Sequence, residues 1–414
     1  MTDPPLLDLE AGAIAAGGGC VARASDGRVV FVRHCLPGER VLATVTEETK
    51  SYLRADAVEI VDPSPDRVTP PCRYAGPGRC GGCDWQHIAV TAQRKLKADL
   101  VAEQLRRLGG IEHVVEVEEV PGAPGGLGWR SRVRFAVDDR GRVGFHKHRS
   151  YELVPVEACL IASPAVEALG VERLEWPEVR ELEVFASDAT GEGVVSLSTP
   201  RRGLGRQPAI AAGLVINGRV ARAPERLAFN VLEHRFEVSA GVFWQVHPGA
   251  TDALGRAVLE GLCAQRGDSV ADLYAGAGLF ARLLGDVVGP GGSVLAVERD
   301  RWACADAARN TTHLPQVKVL KTAVTPALVS ERLGNVDLTV LDPSREGAGR
   351  AVMAALAALR PGPRRVVYVA CDPASFARDL RVLLDAGWQL RSLRAFDLFP
   401  MTYHIELVAV IEPP

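Results

Sequence analysis

Between residues 6 and 60 the apolar positions come in short runs that alternate with polar ones. Val29–Val32, Arg40–Val45 and Ala55–Ile60 are the clearest, and Gly17-Gly18-Gly19 and Pro37-Gly38 punctuate them. Period-two runs this short predict several strands within a small span, and hence a small OB-like β-barrel. A proline-rich stretch, residues 61–70, then reads as a linker. At Val90–Leu108 the period lengthens. Leu96, Leu100, Val101, Leu105 and Leu108 form one apolar stripe, which predicts a helix packed on a core. Strand patterns return between Trp129 and Val238, with Val194–Leu197 and Leu214–Val220 among them. From residue 239 on, a helix runs through Cys263, and β-branched runs then alternate with helical ones. The strands are expected at Ser269–Leu273, Ser293–Val297, Val336–Leu341, Val366–Cys371, Trp388–Leu393 and His404–Ile411. That alternation predicts a Rossmann-like α/β sheet.

Length agrees with a three-part division. The chain has 414 residues, enough for two or three domains. The expected boundaries are 1–63 for the barrel, 64–238 for a central, mainly-β domain, and 239–414 for the α/β domain. Net charge is −3. That excludes a nucleic-acid binder that uses its whole surface but leaves local patches open. The acidic start, M-T-D-P-P-L-L-D-L-E, lacks the basic region of a signal peptide. No apolar run reaches the ~20 residues of a membrane span. A cytoplasmic protein without membrane partners is therefore expected, with a monomer as the default state. Its nine cysteines are then expected to be reactive or metal-binding where they cluster, and not a disulfide framework.

Four stretches carry candidate chemistry. In Val366–Leu380 a strand ends on Cys371, and Pro373 opens a helix. Ligands of open α/β sheets bind at the carboxyl ends of strands, so a thiol there is placed for chemistry. Cys72, Cys80 and Cys83 follow C-x7-C-x2-C spacing among five glycines and prolines, and Cys159 is the candidate fourth ligand. Four thiolates suit zinc or an iron–sulfur cluster. The absence of two C-x2-C pairs favours [4Fe–4S]. In the third stretch Arg130, Arg132 and Arg134 alternate along a strand. Arg140, Arg142, Lys147 and Arg149 continue the charge, and Trp129, Phe135, Phe145 and His146 interleave. Cations with aromatics fit single-stranded RNA.

The fourth stretch is Asp268–Asn310. A strand, the turn Y-A-G-A-G and a helix are followed by a second strand ending on Glu298. Gly276, Gly278 and Ala281 also fit the dinucleotide pattern G-x-G-x-x-[GA], with Glu298 about twenty residues on. S-adenosylmethionine (SAM) is the alternative. Asp272 and Tyr274 favour it, because a carboxylate suits a cationic ligand and repels a pyrophosphate. Asp342 ends a third strand toward the same crevice. Glu406 lies in an otherwise apolar strand, which costs stability unless the group is paired or functional. Gln245 is a lone amide among aromatics.

Two resemblances follow from these residues. The order of glycine-rich turn, V-A-R, D-G-R-V-V-F-V and L-P-G-E-R-V resembles a TRAM domain, an RNA-binding β-barrel. The order D-L-Y-A-G-A-G-L-F, A-V-E, L-D-P-S-R-E-G, V-A-C-D-P-A-S-F-A-R-D and F-P-M-T-Y-H-I-E resembles the SAM-dependent RNA uracil-5 methyltransferases. Within that family, the TRAM-containing, iron–sulfur type that acts on 23S rRNA is the nearest match. The resemblance implies Cys371 as nucleophile and Glu406 as general base. It implies SAM contacts at Gln245, Tyr274, Glu298 and Asp342, and a [4Fe–4S] cluster on Cys72, Cys80, Cys83 and Cys159. Two positions depart from the family pattern: Asp372 where Asn is usual, and Ser344 where a second proline is usual. The resemblance implies methylation of carbon 5 of a uridine through a covalent Cys–uracil adduct. The competing expectations are tRNA in place of rRNA, an inactive RNA-binding or assembly factor, and a nicotinamide oxidoreductase.

Overall fold

The computed structural model describes residues 6–200 and 209–414. The first five residues of the expected barrel segment, and residues 201–208 of the central strand region, lie outside the described residues. Strands β1 (Leu7–Glu10), β2 (Cys20–Arg23), β3 (Val29–Arg33), β4 (Arg40–Glu48) and β5 (Tyr52–Asp62) form one sheet in the order β1-β4-β5-β3-β2. Alternation decides its faces: Val30, Val32, Val41, Ala43, Leu53 and Ala55 point into a dry core. The sheet curls shut where Gly12 N–H donates to the Val21 carbonyl at 2.8 Å and Val21 N–H to that of Ala13 at 2.9 Å. Arg67 of the linker grips the buried Glu39 carboxylate through two contacts of 2.6 Å, fastening the linker to the barrel.

The cysteine loop follows, and then helix α1 (Val90–Gln104), closed by a wide turn over Leu105–Gly109. This helix is shared between two cores. Leu100 packs with the barrel, while Val101 and Leu105 pack with the C-terminal domain. Strand β6 (Val117–Glu119) pairs in parallel with the outer edge of the C-terminal sheet. Strands β7 (Arg132–Val137), β8 (Val143–His146) and β9 (Leu153–Pro155), helix α2 (Pro164–Ala168), and strands β10 (Glu181–Ala186), β11 (Gly193–Ser198), β12 (Gly213–Ile216) and β13 (Arg219–Arg222) build the central domain. Its sheet runs β13-β12-β11-β10-β7-β8-β9. The run Leu214–Val220, expected as one strand, is two strands. Asn217 and Gly218 reverse the chain with φ of 48° and 76°. An Asn-Gly pair between apolar runs is itself a hairpin signal. The hairpin of β14 (Arg226–Val231) and β15 (His234–Ser239) leaves this sheet and buries Leu227, Phe236 and Val238 in the C-terminal core.

The C-terminal domain begins with α3 (Ala250–Leu262). It continues through β16 (Ser269–Leu273), α4 (Leu279–Val288), β17 (Ser293–Glu298), α5 (Arg301–Asn310), β18 (Val317–Lys321) and α6 (Pro326–Arg332). Then come β19 (Leu338–Leu341), α7 (Arg350–Ala358), β20 (Arg365–Ala370), α8 (Pro373–Asp385), β21 (Gln389–Asp397) and β22 (Glu406–Glu412). The sheet order is β18-β17-β16-β19-β20-β22-β21-β6. Strands β16 to β20 pair in parallel, and β22 is antiparallel to both its neighbours. Each face of the sheet carries its own core, one with Leu254 and Phe280, the other with Met353 and Phe376. Strand order reverses between β16 and β19, and that switch point opens a ligand crevice at the carboxyl ends. Among the described residues no helix is long and apolar enough to cross a membrane.

Candidate active site

The crevice at the switch point is lined by acids. β16 brings Asp272, with Tyr274 just beyond its end; β17 ends on Glu298; Asp342 directly follows β19; Cys371 directly follows β20; and Glu406 opens β22. Tyr274 has φ of 66°, a conformation rare outside glycine that re-aims the chain into the glycine turn. Gly278 has φ of 86° and caps α4. A side chain there would press on the Ala307 backbone at 3.0 Å, so the residue type is dictated by packing as well as by φ. The Gly276 N–H donates to Glu298 Oε2 at 3.0 Å. Glu298 Oε1 accepts from the Arg299 and Asp300 amides, each at 2.7 Å. The carboxylate is thus locked in place, with lone pairs left for a ligand.

Burial and crowding of like charge set the electrostatics. Asp272 is fully buried, and neither of its carboxylate oxygens has a hydrogen-bond partner of good geometry. Burial pushes it up to about 8, with Asp342 and Glu298 adding to the rise. Burial likewise pushes Asp342 up to about 7. It also holds Glu406 well above the carboxylate range, with Asp342 adding and Arg345 opposing. Cys371 is pushed up to about 12 by burial first, then by the Glu406 and Asp342 carboxylates, while Arg345 pulls it down. The pairing of β19 with β20 and of β20 with β22 sets Asp342, Cys371 and Glu406 at adjoining strand ends, where they and Arg345 act on one another. A crevice that collects acids with unmet demand for positive charge fits a cationic ligand such as SAM, and disfavours a pyrophosphate.

The loop after β19 is held from behind. Asp379 Oδ2 accepts from the Ala348 amide at 2.7 Å, the Gly349 amide at 3.1 Å and the Tyr368 hydroxyl at 2.7 Å. Arg345, on this loop, lies 3.5 Å from His404 Nε2. Burial lowers His404 to about 4, so the ring is neutral near pH 7. Asp379 does not stand out in the sequence; its one trace there is an acid within the otherwise apolar face of α8. Gln245 is half-buried in the segment entering α3, beside the buried Trp244.

Asp372, the departure from the family's usual Asn, has a local structural role. It is the N-cap of α8, and its Oδ1 accepts the Ser375 amide at 2.7 Å. Aspartate and asparagine cap about equally well, so the departure preserves the turn. The pressure on the Cys371 thiol comes mainly from burial, Glu406 and Asp342.

Cys72, Cys80, Cys83 and Cys159 line one cavity of about 310 Å³. No three or more His, Cys, Asp or Glu among the described residues are arranged to hold one metal ion. Zinc–sulfur bonds of about 2.3 Å would draw four sulfurs within roughly 4 Å of one another. The four thiols share the lining of this cavity with Tyr74, Arg130 and Phe145. Amides also point at the sulfurs. Gly82 N–H donates to Cys80 Sγ at 3.4 Å, the Ile161 and Ala162 amides lower Cys159, and the Gln86 side chain lowers Cys83. Burial outweighs them and holds Cys83 up at about 12 and Cys159 at about 11. Four raised thiols facing one cavity are chemically suited to soft-metal ligation, which would stabilise their thiolates.

The cations of the basic stretch are largely held in pairs. Arg132 lies 3.6 Å from Glu183, donates to the Val242 carbonyl at 2.7 Å, and stacks on Phe185 at 3.9 Å. Arg134 pairs with Glu183 at 3.1 Å and Glu181 at 3.4 Å. Arg142 pairs with Asp138, Lys147 with Glu152, and Arg149 with Glu47. Trp129 and Phe135 are core residues. Five of these cations thus meet acids, two of them within the hairpin itself and three on β10 or the barrel, which local sequence does not reveal.

Residues 13–58 match the TRAM domain family. An uncharacterized RNA methyltransferase of Streptomyces coelicolor is 46% identical over 98% of this chain and 92% of its own length. The 23S rRNA (uracil(1939)-C(5))-methyltransferase RlmD of Alkalilimnicola ehrlichii is 33% identical over 94% of this chain and 92% of its own. In three dimensions the chain is similar to the Pyrococcus abyssi tRNA (uracil-54, C5)-methyltransferase, solved with S-adenosyl-L-homocysteine. The TM-score is 0.73 at 22% identity, covering 97% of this chain and 100% of that one, a likeness of fold. With its TRAM domain, its methyltransferase fold and relatives spanning nearly its whole length, the chain belongs to the RNA uracil-C5 methyltransferase family.

Proposed function

We propose that the protein methylates carbon 5 of a uridine in 23S rRNA, with Cys371 as nucleophile and Glu406 as base. The observation that carries this is the convergence of Cys371, Glu406, Asp342 and Arg345 at the switch point of the sheet. The rRNA assignment is supported by the relative named for 23S rRNA at 33% identity.

Carbon 5 of uracil is too weak a nucleophile to take a methyl group unaided. Addition of the Cys371 sulfur to carbon 6 pushes the ring π electrons toward carbon 5 and oxygen 4, giving an enolate. SAM, when bound, supplies an electrophilic methyl group. Gln245, Tyr274, Glu298 and Asp342 are the residues proposed to hold it, the acids matching its positive charges. Glu406 then removes the proton left on carbon 5. Those electrons re-form the C5–C6 double bond, and the sulfur departs from carbon 6 as thiolate. Arg345 lowers both Cys371 and Glu406. The uracil must leave its stack to reach the thiol, at a cost of a few kcal/mol.

The test is transfer of labelled methyl from SAM to 23S rRNA, with adducts read on denaturing gels. Cys371→Ala is expected to lose transfer by about 10³-fold or more, with no adduct. Glu406→Gln is expected to trap a methylated, covalently bound RNA. Full transfer in Cys371→Ala would refute the covalent route. Equal transfer to tRNA alone would replace the rRNA assignment.

The second part of the proposal is a [4Fe–4S] cluster on Cys72, Cys80, Cys83 and Cys159, supported by the four-thiol cavity. Broad visible absorbance with matching iron and sulfide is the expected result for anaerobically purified protein. Stoichiometric zinc would overturn it. The segments 1–63, 64–238 and 239–414 are proposed as RNA-binding barrel, cluster domain and catalytic domain, with α1 and β6 lent by the second to the third.

A further inference from the structure

The catalytic strand β22 is entered through a turn, Leu398–His404, that is held from outside its own domain. Met401 in this turn has φ of 66°. A bulky residue there is strained and persists only where its surroundings over-determine it. The restraints are specific. Met401 N–H donates to Gln93 Oε1 at 2.8 Å, and the Met401 carbonyl accepts the Trp85 amide at 3.0 Å. Gln93 Nε2 donates to the Trp85 carbonyl at 3.1 Å and the Ile88 carbonyl at 2.9 Å. One turn along α1, Lys97 pairs with Asp397 at 2.5 Å and donates to the Phe399 carbonyl at 3.0 Å. Gln93 and Lys97 are both fully buried. Trp85, two residues past Cys83, donates its ring N–H to the Gly18 carbonyl of the barrel at 2.8 Å.

A fully buried glutamine on a helix is costly unless its amide is used. Here every contact it makes goes to the turn that aims β22 or to the segment bracing that turn. Glu406 lies five residues after Met401. We infer that Gln93 is a positioning residue that sets the placement of Glu406. This inference rests on Glu406 being the base. Gln93 touches no reacting atom. It acts by holding Met401 in its strained conformation, and so controls the proton-removal half of the reaction more than the methyl-transfer half.

The experiment uses the full chain with SAM and 23S rRNA, comparing wild type, Gln93→Leu, Gln93→Glu and Glu406→Gln. Gln93→Leu is expected to slow turnover by about tenfold or more while the KM for RNA stays within about threefold. The methylated covalent adduct should accumulate. Gln93→Glu, protonated in its apolar site, keeps an acceptor and one donor and is expected to recover part of the rate. If Gln93→Leu does not fold, the adduct level in Gln93→Glu decides. Loss of turnover without adduct, or unchanged turnover, would overturn the inference. Failure of Glu406→Gln to accumulate adduct would instead refute the base assignment. Accumulation in Glu406→Gln but not in the Gln93 variants would refute the positioning role alone.

Discussion

Asp272 shows how one residue links stability to ligand. Its carboxyl is fully buried without a partner and is pushed up to about 8. A folded-state pKa above the unfolded value of 3.8 means the native protein holds a proton that the unfolded chain releases. The stabilising effect is complete below the unfolded value and is lost as pH rises through the folded one. Ligand-free protein is therefore expected to melt at lower temperature as pH rises from 5 to 8, with a shallower slope in Asp272→Asn. Thermal unfolding across that range checks it; an equal slope in both proteins would count against Asp272. The proposed catalytic pair carries its own pH dependence. In the proposed route Cys371 loses a proton to attack, and Glu406 is ionised to accept one. Both are held above their ordinary values. The rate is thus expected to rise with pH through and above neutrality, measured as kcat/KM for RNA. A profile that peaks below pH 6 would contradict these shifts.

At the scale of elements, α8 and β7 make opposite points. The N-terminus of α8 accepts Asp372 as cap, so Asp372→Asn is expected to leave activity within about threefold and stability within about 0.5 kcal/mol. Asp372→Ala removes the Ser375 tie and is expected to cost about 1 kcal/mol, read by denaturant unfolding. Strand β7 presents its arginines to β10, where Glu183 stands directly opposite Arg134. Exposed ion pairs contribute little, and an arginine already paired offers little charge to phosphate. Arg134→Ala is therefore expected to change RNA affinity by less than about threefold at physiological salt. A loss of tenfold would mark this strand as an RNA contact.

Over the whole molecule, the three parts are interlocked and not strung together. Trp85, Ile88, Ala92 and Leu100, all beyond residue 63, complete the barrel core. Val101 and Leu105 of the same helix complete the catalytic core. Cutting at residue 63 would expose Trp85, Ile88 and Leu100, each contributing roughly 1.5–3 kcal/mol by burial. The chain from residue 64 onward is thus expected to unfold earlier and aggregate, as seen by thermal scanning and size exclusion. A fragment as stable as the intact protein would show the barrel to be an independent appendage.

Local pattern was enough for the parts whose forces are local. Period and turn residues determined Ser269–Leu273 as a strand and gave the core of α1, and the strand-then-proline order put Cys371 at a strand end. The chemistry of residue types marked the acids of the crevice. Long-range pairing decided the rest. The acids that pair with Arg132 and Arg134 lie about fifty positions on, the grip of Gln93 on Met401 spans 308 positions, and the orphaned carboxyl of Asp272 is set by burial. Hydrogen bonds and burial act over a few ångströms of space, whatever the distance along the chain. The sequence therefore determined which groups were available, and only the fold decided which of them met.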